Sequence, residues 1–245
     1  MKTYENKARH ELQVWRNKLL KRPSLFNKMS KQAQTKLNSY IPEKAHQIIT
    51  ESIKNMVKAT LVGSNMTTKK PQIIGQSLFE MEEQVKEKLT AYRKTAVIEG
   101  AGTGAGGIFL GLADFPLLLS IKLKFLFEAA AIYGHDTKQY EERLFLLHVF
   151  QLAFSSDEKK KETLYIIEHW EQEKEKLVDM DWRVFQQEYR DYIDLVKMLQ
   201  LIPGFGAIVG AYANHNLLDT LGETAMNAYR IRYFHMSPIN EGKHH

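Results

Sequence analysis

Gly102, Gly104 and Gly107 spell G-x-G-x-x-G, the spacing that lets a dinucleotide pyrophosphate approach a backbone turn. That chemistry needs a strand before the glycines, a helix after them and an acidic residue about twenty positions on. Here the preceding segment, EQVKEKLTAYRKTAVIE, is charged and helical in pattern, and position 122 is a lysine. No lysine followed by Ser or Thr closes the glycine run, so a phosphate loop fails as well. Nine histidines are present, none in a compact metal-binding spacing. His169 and Glu173 stand four apart on an expected helix, which suits a surface pair. His135 and Asp136 follow Gly134 in what reads as a helix-ending turn, with the aspartate bonding the local backbone. Asn214, His215 and Asn216 form a polar island inside an apolar stretch, and Asp114 stands at the head of another. Asp114, His135, Asp136, Asn214 and His215 are therefore the candidate polar site. No residue is assigned to catalysis, to a cofactor or to a metal.

The chain has 245 residues and no cysteine, so disulfides, thiolate metal sites and cysteine nucleophiles are excluded. No GxSxG elbow occurs either. Strand-like alternation is short, whereas apolar residues recur at steps of three and four along most of the chain. Leu12, Trp15, Leu19 and Leu20 mark a first helix ending before Pro23, and Ala45, Ile48, Ile49, Ile53 and Met56 mark a second. Further helices are expected over about 74–98, from Pro116 to Gly134, and over about 141–154, 158–177, 182–199 and 214–233. Asp114 is the expected N-cap of the one that Gly134 ends. The reading is all-α: a multi-helix bundle with two glycine-rich helical hairpins. It divides into basic N-terminal helices (1–62), a helical core (72–235) and a tail (236–245).

The two hairpins, near 100–134 and 200–234, are related by a weak internal repeat. At an offset of one hundred, Gly104, Gly106, Ile108 and Leu117 recur as Gly204, Gly206, Ile208 and Leu217. Gly102 with Gly106, Gly107 with Gly111, and Gly206 with Gly210 are small-xxx-small pairs, which let another backbone come close. They are assigned to helix packing or shallow insertion. A full membrane span over 100–121 is disfavoured, because Asp114 lies inside it and Pro116 interrupts it.

Charge is unevenly placed. Residues 1–70 hold fifteen Lys/Arg against four Asp/Glu, a net +11, while residues 71–245 carry −6. Such an end is attracted to anionic surfaces. Trp15, Lys18, Lys21 and Arg22 are the candidates to face a membrane, with docking of Trp15 on the protein body as the favoured alternative for that residue. Nucleic acid is not expected, since no reading motif accompanies the charge. The opening MKTYENKARHELQVW lacks a signal-peptide core, so a cytoplasmic protein is expected.

The blocks GAGTGAGGIFLGLADFPLLLSIKLKFLFEAAAIYGHD and LIPGFGAIVGAYANHNLLDTLGETAMNAYRIRYF resemble the EcsC family. The match rests on the glycine-rich lead into Ala113–Asp114, on Tyr133–Gly134 with Asp136, and on Gly206–Gly210 followed by Asn214. The resemblance implies a bacterial protein encoded beside the ATPase and membrane subunits of an ABC transporter, with no established reaction. ABC-transporter subunits and an anionic membrane surface are thus the expected partners. The expected function is a non-enzymatic accessory protein, peripheral to the inner face of the cell membrane. A small-molecule or lipid-binding helical domain is the alternative, and an enzyme working through the Asn214–His215–Asn216 island is the remaining one.

Overall fold

Local signals set most helix ends. A computed structural model describes residues 2–21, 43–62, 75–103, 115–155, 159–179 and 217–236, which hold eight α-helices and no strand. α1 (Lys2–Leu20) and α2 (Glu43–Val62) follow the expected apolar stripes. α3 (Leu78–Thr103) starts four residues later than the periodicity suggests, at a capping box. There Glu80 accepts the Ser77 backbone N–H at 2.7 Å, and the Ser77 hydroxyl oxygen accepts the Glu80 N–H at 3.3 Å. The Ser77 N–H and the Ser77 hydroxyl, both donating to Glu80 Oε2, hold that carboxyl below its usual range. α3 then runs on to take Gly102 into its last turn.

α4 (Phe115–Ile132) opens with Pro116 in its first turn, where the missing N–H is harmless. It ends as expected at Gly134, whose φ of 90° is the left-handed conformation of a C-terminal glycine. The His135 N–H reaches the Ala130 carbonyl at 2.9 Å and the Gly134 N–H reaches Ala131 at 3.1 Å, satisfying two orphan carbonyls. α5 (Tyr140–Phe154) is buried on nearly every side. The single helix expected over 158–177 is two helices, α6 (Lys160–Glu168) and α7 (Trp170–Asp179). The chain turns at His169, and Trp170 packs edge-on to Phe145 with ring centroids 5.0 Å apart. α8 (Leu217–Met236) closes the described chain.

α4 and α5 form the centre, with Phe115, Phe125, Phe145, Phe150 and Phe154 fully buried. α8 packs against α5, α3, α4, α1 and α6. α1 and α2 share this one core, through Ala8, Trp15, Ile49 and Ile53. Trp15 is 5% exposed, so it takes the docking alternative and does not face outward in this conformation. Burying an indole against a helix body removes far more apolar surface than leaving it at a rim. The close helix approach that can be seen is at Gly222, where a Cβ would lie 2.7 Å from Leu89 Cδ2. Gly106, Gly107, Gly111, Gly206 and Gly210 lie outside the described residues. No described helix is long and apolar enough to cross a membrane.

His148 gives the core a pH dependence. Its Nδ1 lies 2.8 Å from the Leu144 carbonyl oxygen, to which it donates, and burial pulls its pKa down to about 4. The unfolded chain takes up this proton near 6.5. Stability from this group is therefore intact above pH 6.5 and is lost as pH falls toward 4, by up to about 3 kcal/mol. Urea unfolding at pH 7 and 4.5 should show the loss in the parent and a flatter response in His148→Phe.

Candidate functional site

α8 carries two arginines and a tyrosine that meet buried carboxylates from other helices. Glu82 of α3 is fully buried, on the same stripe as Leu78, Met81, Val85 and Leu89. Arg230 holds it with a two-pronged pair, Nε to Oε1 at 2.7 Å and Nη2 to Oε2 at 2.6 Å. The same Nη2 reaches Glu11 of α1 at 2.9 Å, and Nη1 reaches Asn227 at 3.2 Å. The Tyr4 hydroxyl donates to Glu82 Oε2 at 2.7 Å. Burial alone would pull the Arg230 pKa down, but the Glu82 and Glu11 carboxylates outweigh it and raise the pKa above its usual value. A buried charge pair with this geometry resists being broken from one side only.

The second carboxylate is Glu142 of α5, also buried. It accepts the Tyr229 hydroxyl at 2.9 Å and both bonds of Arg232 Nη1, at 2.9 and 2.7 Å. His135 Nδ1 stands 3.6 Å away. Burial lowers the His135 pKa, Arg232 lowers it further and Glu142 works the other way, so the ring is held toward neutral. Tyr229 ties the two pairs together: Tyr133 stacks on it at 4.9 Å and His135 at 5.2 Å. The Tyr133 hydroxyl is buried with no hydrogen-bond partner, and burial, then the Glu82 charge, pushes its pKa well up.

Beside this seam, and sharing Arg232 with it, a cleft of about 340 Å³ opens at the α6–α7 turn. Its lining includes Glu168, His169, Trp170, Glu171, Arg232 and His235. Arg232 lies over the Phe145 ring at 4.5 Å, and its Nε is buried with no hydrogen-bond partner. The carboxylates here are engaged, Glu168 by Arg16 and Glu171 by Lys174. One more charge is buried: Lys122 of α4, whose pKa burial lowers to about 8. Among the described residues no group of three or more His, Asp or Glu is placed to hold a metal.

Of the sequence-predicted residues, His135 joins the Glu142 cluster. Asp136 does not; it is exposed, and its Oδ1 accepts the Lys138 N–H at 3.0 Å, which makes it the expected turn residue. Asp114, Asn214, His215 and Arg22 lie outside the described residues. Lys18 and Lys21 are exposed at the end of α1. His169 sits at the break between α6 and α7 rather than within a helix, and its carbonyl accepts the Glu173 N–H at 3.0 Å. Sequence reading missed Glu82, Glu142, Arg230, Arg232 and Lys122. The available signal was a charge standing at an apolar-stripe position, as Glu82 does.

A family model described as the EcsC protein family matches residues 6–234. The chain is 55% identical over 218 residues to Protein EcsC of Bacillus subtilis (strain 168), covering 89% of this chain and 91% of the relative. It is also 28% identical over 255 residues to the uncharacterized protein YdbA of the same organism, covering 95% of this chain and 90% of the relative. No solved structure matches.

Proposed function

This chain belongs to the EcsC protein family, and on that premise we propose that it is a non-enzymatic accessory protein of an ABC transporter, seated on the cytoplasmic membrane face. The observation that carries the membrane part is charge segregation. Residues 1–70 carry net +11 against −6 in the rest, and Lys7, Lys18, Lys21, Lys54 and Lys58 of that basic part are exposed. Each basic residue near an anionic leaflet contributes about 1 kcal/mol of attraction, weakened by salt. The transporter as partner follows from the gene neighbourhood that the family resemblance implies. The paired buried charges suit a stiff scaffold, since α8 is locked to α3 and α5 by ionic hydrogen bonds. The test is co-purification of the tagged chain with the transporter's ATPase and membrane subunits from detergent-solubilised membranes. Retention of both subunits supports the role, and their absence from gently solubilised membranes rejects it.

The cleft at the α6–α7 turn favours a second reading, a small-molecule-binding domain. About 340 Å³ lies within the range of small-ligand pockets, and Arg232 with Trp170 supplies a polar anchor beside an aromatic wall. Native mass spectrometry of the purified chain decides this reading: a bound mass lost in Arg232→Met supports it, and an empty protein opposes it.

A further inference from the structure

We infer that the face α1 turns toward the protein body is a concealed surface for anionic lipid, which α1 presents to a bilayer after detaching. This rests on the peripheral-membrane reading above and adds the element that makes contact.

The described polar ties of α1 to the body flank its apolar stripe on both sides: Tyr4 to Glu82 at 2.7 Å and Arg230 to Glu11 at 2.9 Å on one, Tyr233 to Glu5 at 3.2 Å and Arg16 to Glu168 at 2.5 and 3.2 Å on the other. Arg9 adds a cation–π contact with Phe234 at 3.9 Å. Its fully buried apolar residues are only Ala8 and Trp15, with Tyr4, Leu12, Leu19 and Leu20 partly covered. α4, of similar length, buries nine apolar residues.

The ties are also arranged so that α1 can leave without stranding a buried charge. Arg230 keeps both its bonds to Glu82, and Glu82 keeps Arg230, when Glu11 and Tyr4 depart. Arg16 and Glu168 are 39% and 18% exposed in their side chains, so water reaches both partners. Pulling away α8 would instead break both buried pairs, which is the costly event. Release of α1 thus leaves the core's two buried ion pairs whole.

What the released helix would offer is chemically specific. Leu12, Trp15 and Leu19 stand three and four residues apart, with Tyr4 and Ala8 continuing the stripe. Residues 2–21 carry Lys2, Lys7, Arg9, Arg16, Lys18 and Lys21 against Glu5 and Glu11. A helix with an indole and leucines on one face and basic residues around it lies in the interface of an anionic membrane. Lipid phosphates would take Arg16 from Glu168 and Arg9 from the Phe234 ring, replacing each tie by one at least as strong. The sequence suits Trp15 both to docking on the body and to a lipid interface, and the fold shows it docked; a detachable α1 accommodates both.

The chain's lack of cysteine gives a direct test. Glu5→Cys with Tyr233→Cys, joined by a short bismaleimide, ties α1 to α8; Arg16→Cys with Glu168→Cys ties its other end to α6. Linked and unlinked proteins are floated with vesicles of phosphatidylglycerol and phosphatidylcholine in equal parts, the unlinked forms controlling for folding. Linking either pair should weaken vesicle binding by on the order of tenfold or more. Equal flotation of linked and unlinked protein overturns the detachment and leaves the peripheral reading standing. If wild-type protein fails to float, the detachment and the peripheral reading fall together.

Discussion

Arg230→Met should lower stability by about 3–5 kcal/mol, because it leaves Glu82 charged, buried and without its cation. Tyr4 would remain as a hydrogen-bond donor, but one neutral hydroxyl does not replace a two-pronged guanidinium. The double variant Glu82→Met with Arg230→Met removes both charges, and it should recover most of the loss. Urea unfolding of the two single variants and the double at neutral pH measures this cycle. A single-variant loss below about 0.5 kcal/mol, the range of ordinary surface changes, would contradict the burial of the pair.

Lys122→Met should have the opposite sign. At pH 7 the ammonium is charged in both the folded and unfolded chain, but in the fold it is buried in α4 with no described partner. A pKa lowered from 10.5 to about 8 corresponds to a destabilisation of about 3 kcal/mol in neutral solution. Below about 8 the penalty is fully present, and it is relieved as pH rises from 8 toward 10.5, where the unfolded chain still holds the proton. Lys122→Met, which keeps the length and drops the charge, should therefore raise the melting temperature at pH 7 and abolish the gain on moving to pH 10. A lower melting temperature would mean that the ammonium is bonded and its burial compensated. Residues that lower stability yet persist are often kept for function, so the same variant should be scored for transporter co-purification.

The parts legible in the sequence were those decided within a few residues. Pro116 and Gly134 bound α4 because proline fits a first turn and glycine accepts a φ of 90°. The Ser77–Glu80 box was present in the sequence but overlooked, so the periodicity began α3 too early. The break at His169 was not legible, since no proline or glycine marks it. The bundle itself bends the chain there, seating Trp170 against Phe145 and His148. The buried seam was hidden for a related reason. Glu82 and Arg230 are 148 positions apart, and each alone resembles a solvated charge on an amphipathic helix. Only Glu82's place among Leu78, Met81, Val85 and Leu89 betrayed it. His135 was singled out for its turn, yet its stacking on Tyr229 and its approach to Glu142 depend on α8 folding back over α5.

On the proposed function, the basic end of this chain holds it to an anionic membrane. Flotation of the wild-type protein with phosphatidylglycerol-containing vesicles across a salt series tests it most directly. Strong binding is expected at low salt, falling steeply as salt screens the exposed lysines and leaving a weaker remainder from the apolar face of α1. Protein that stays at the bottom of the gradient at every salt concentration would contradict it.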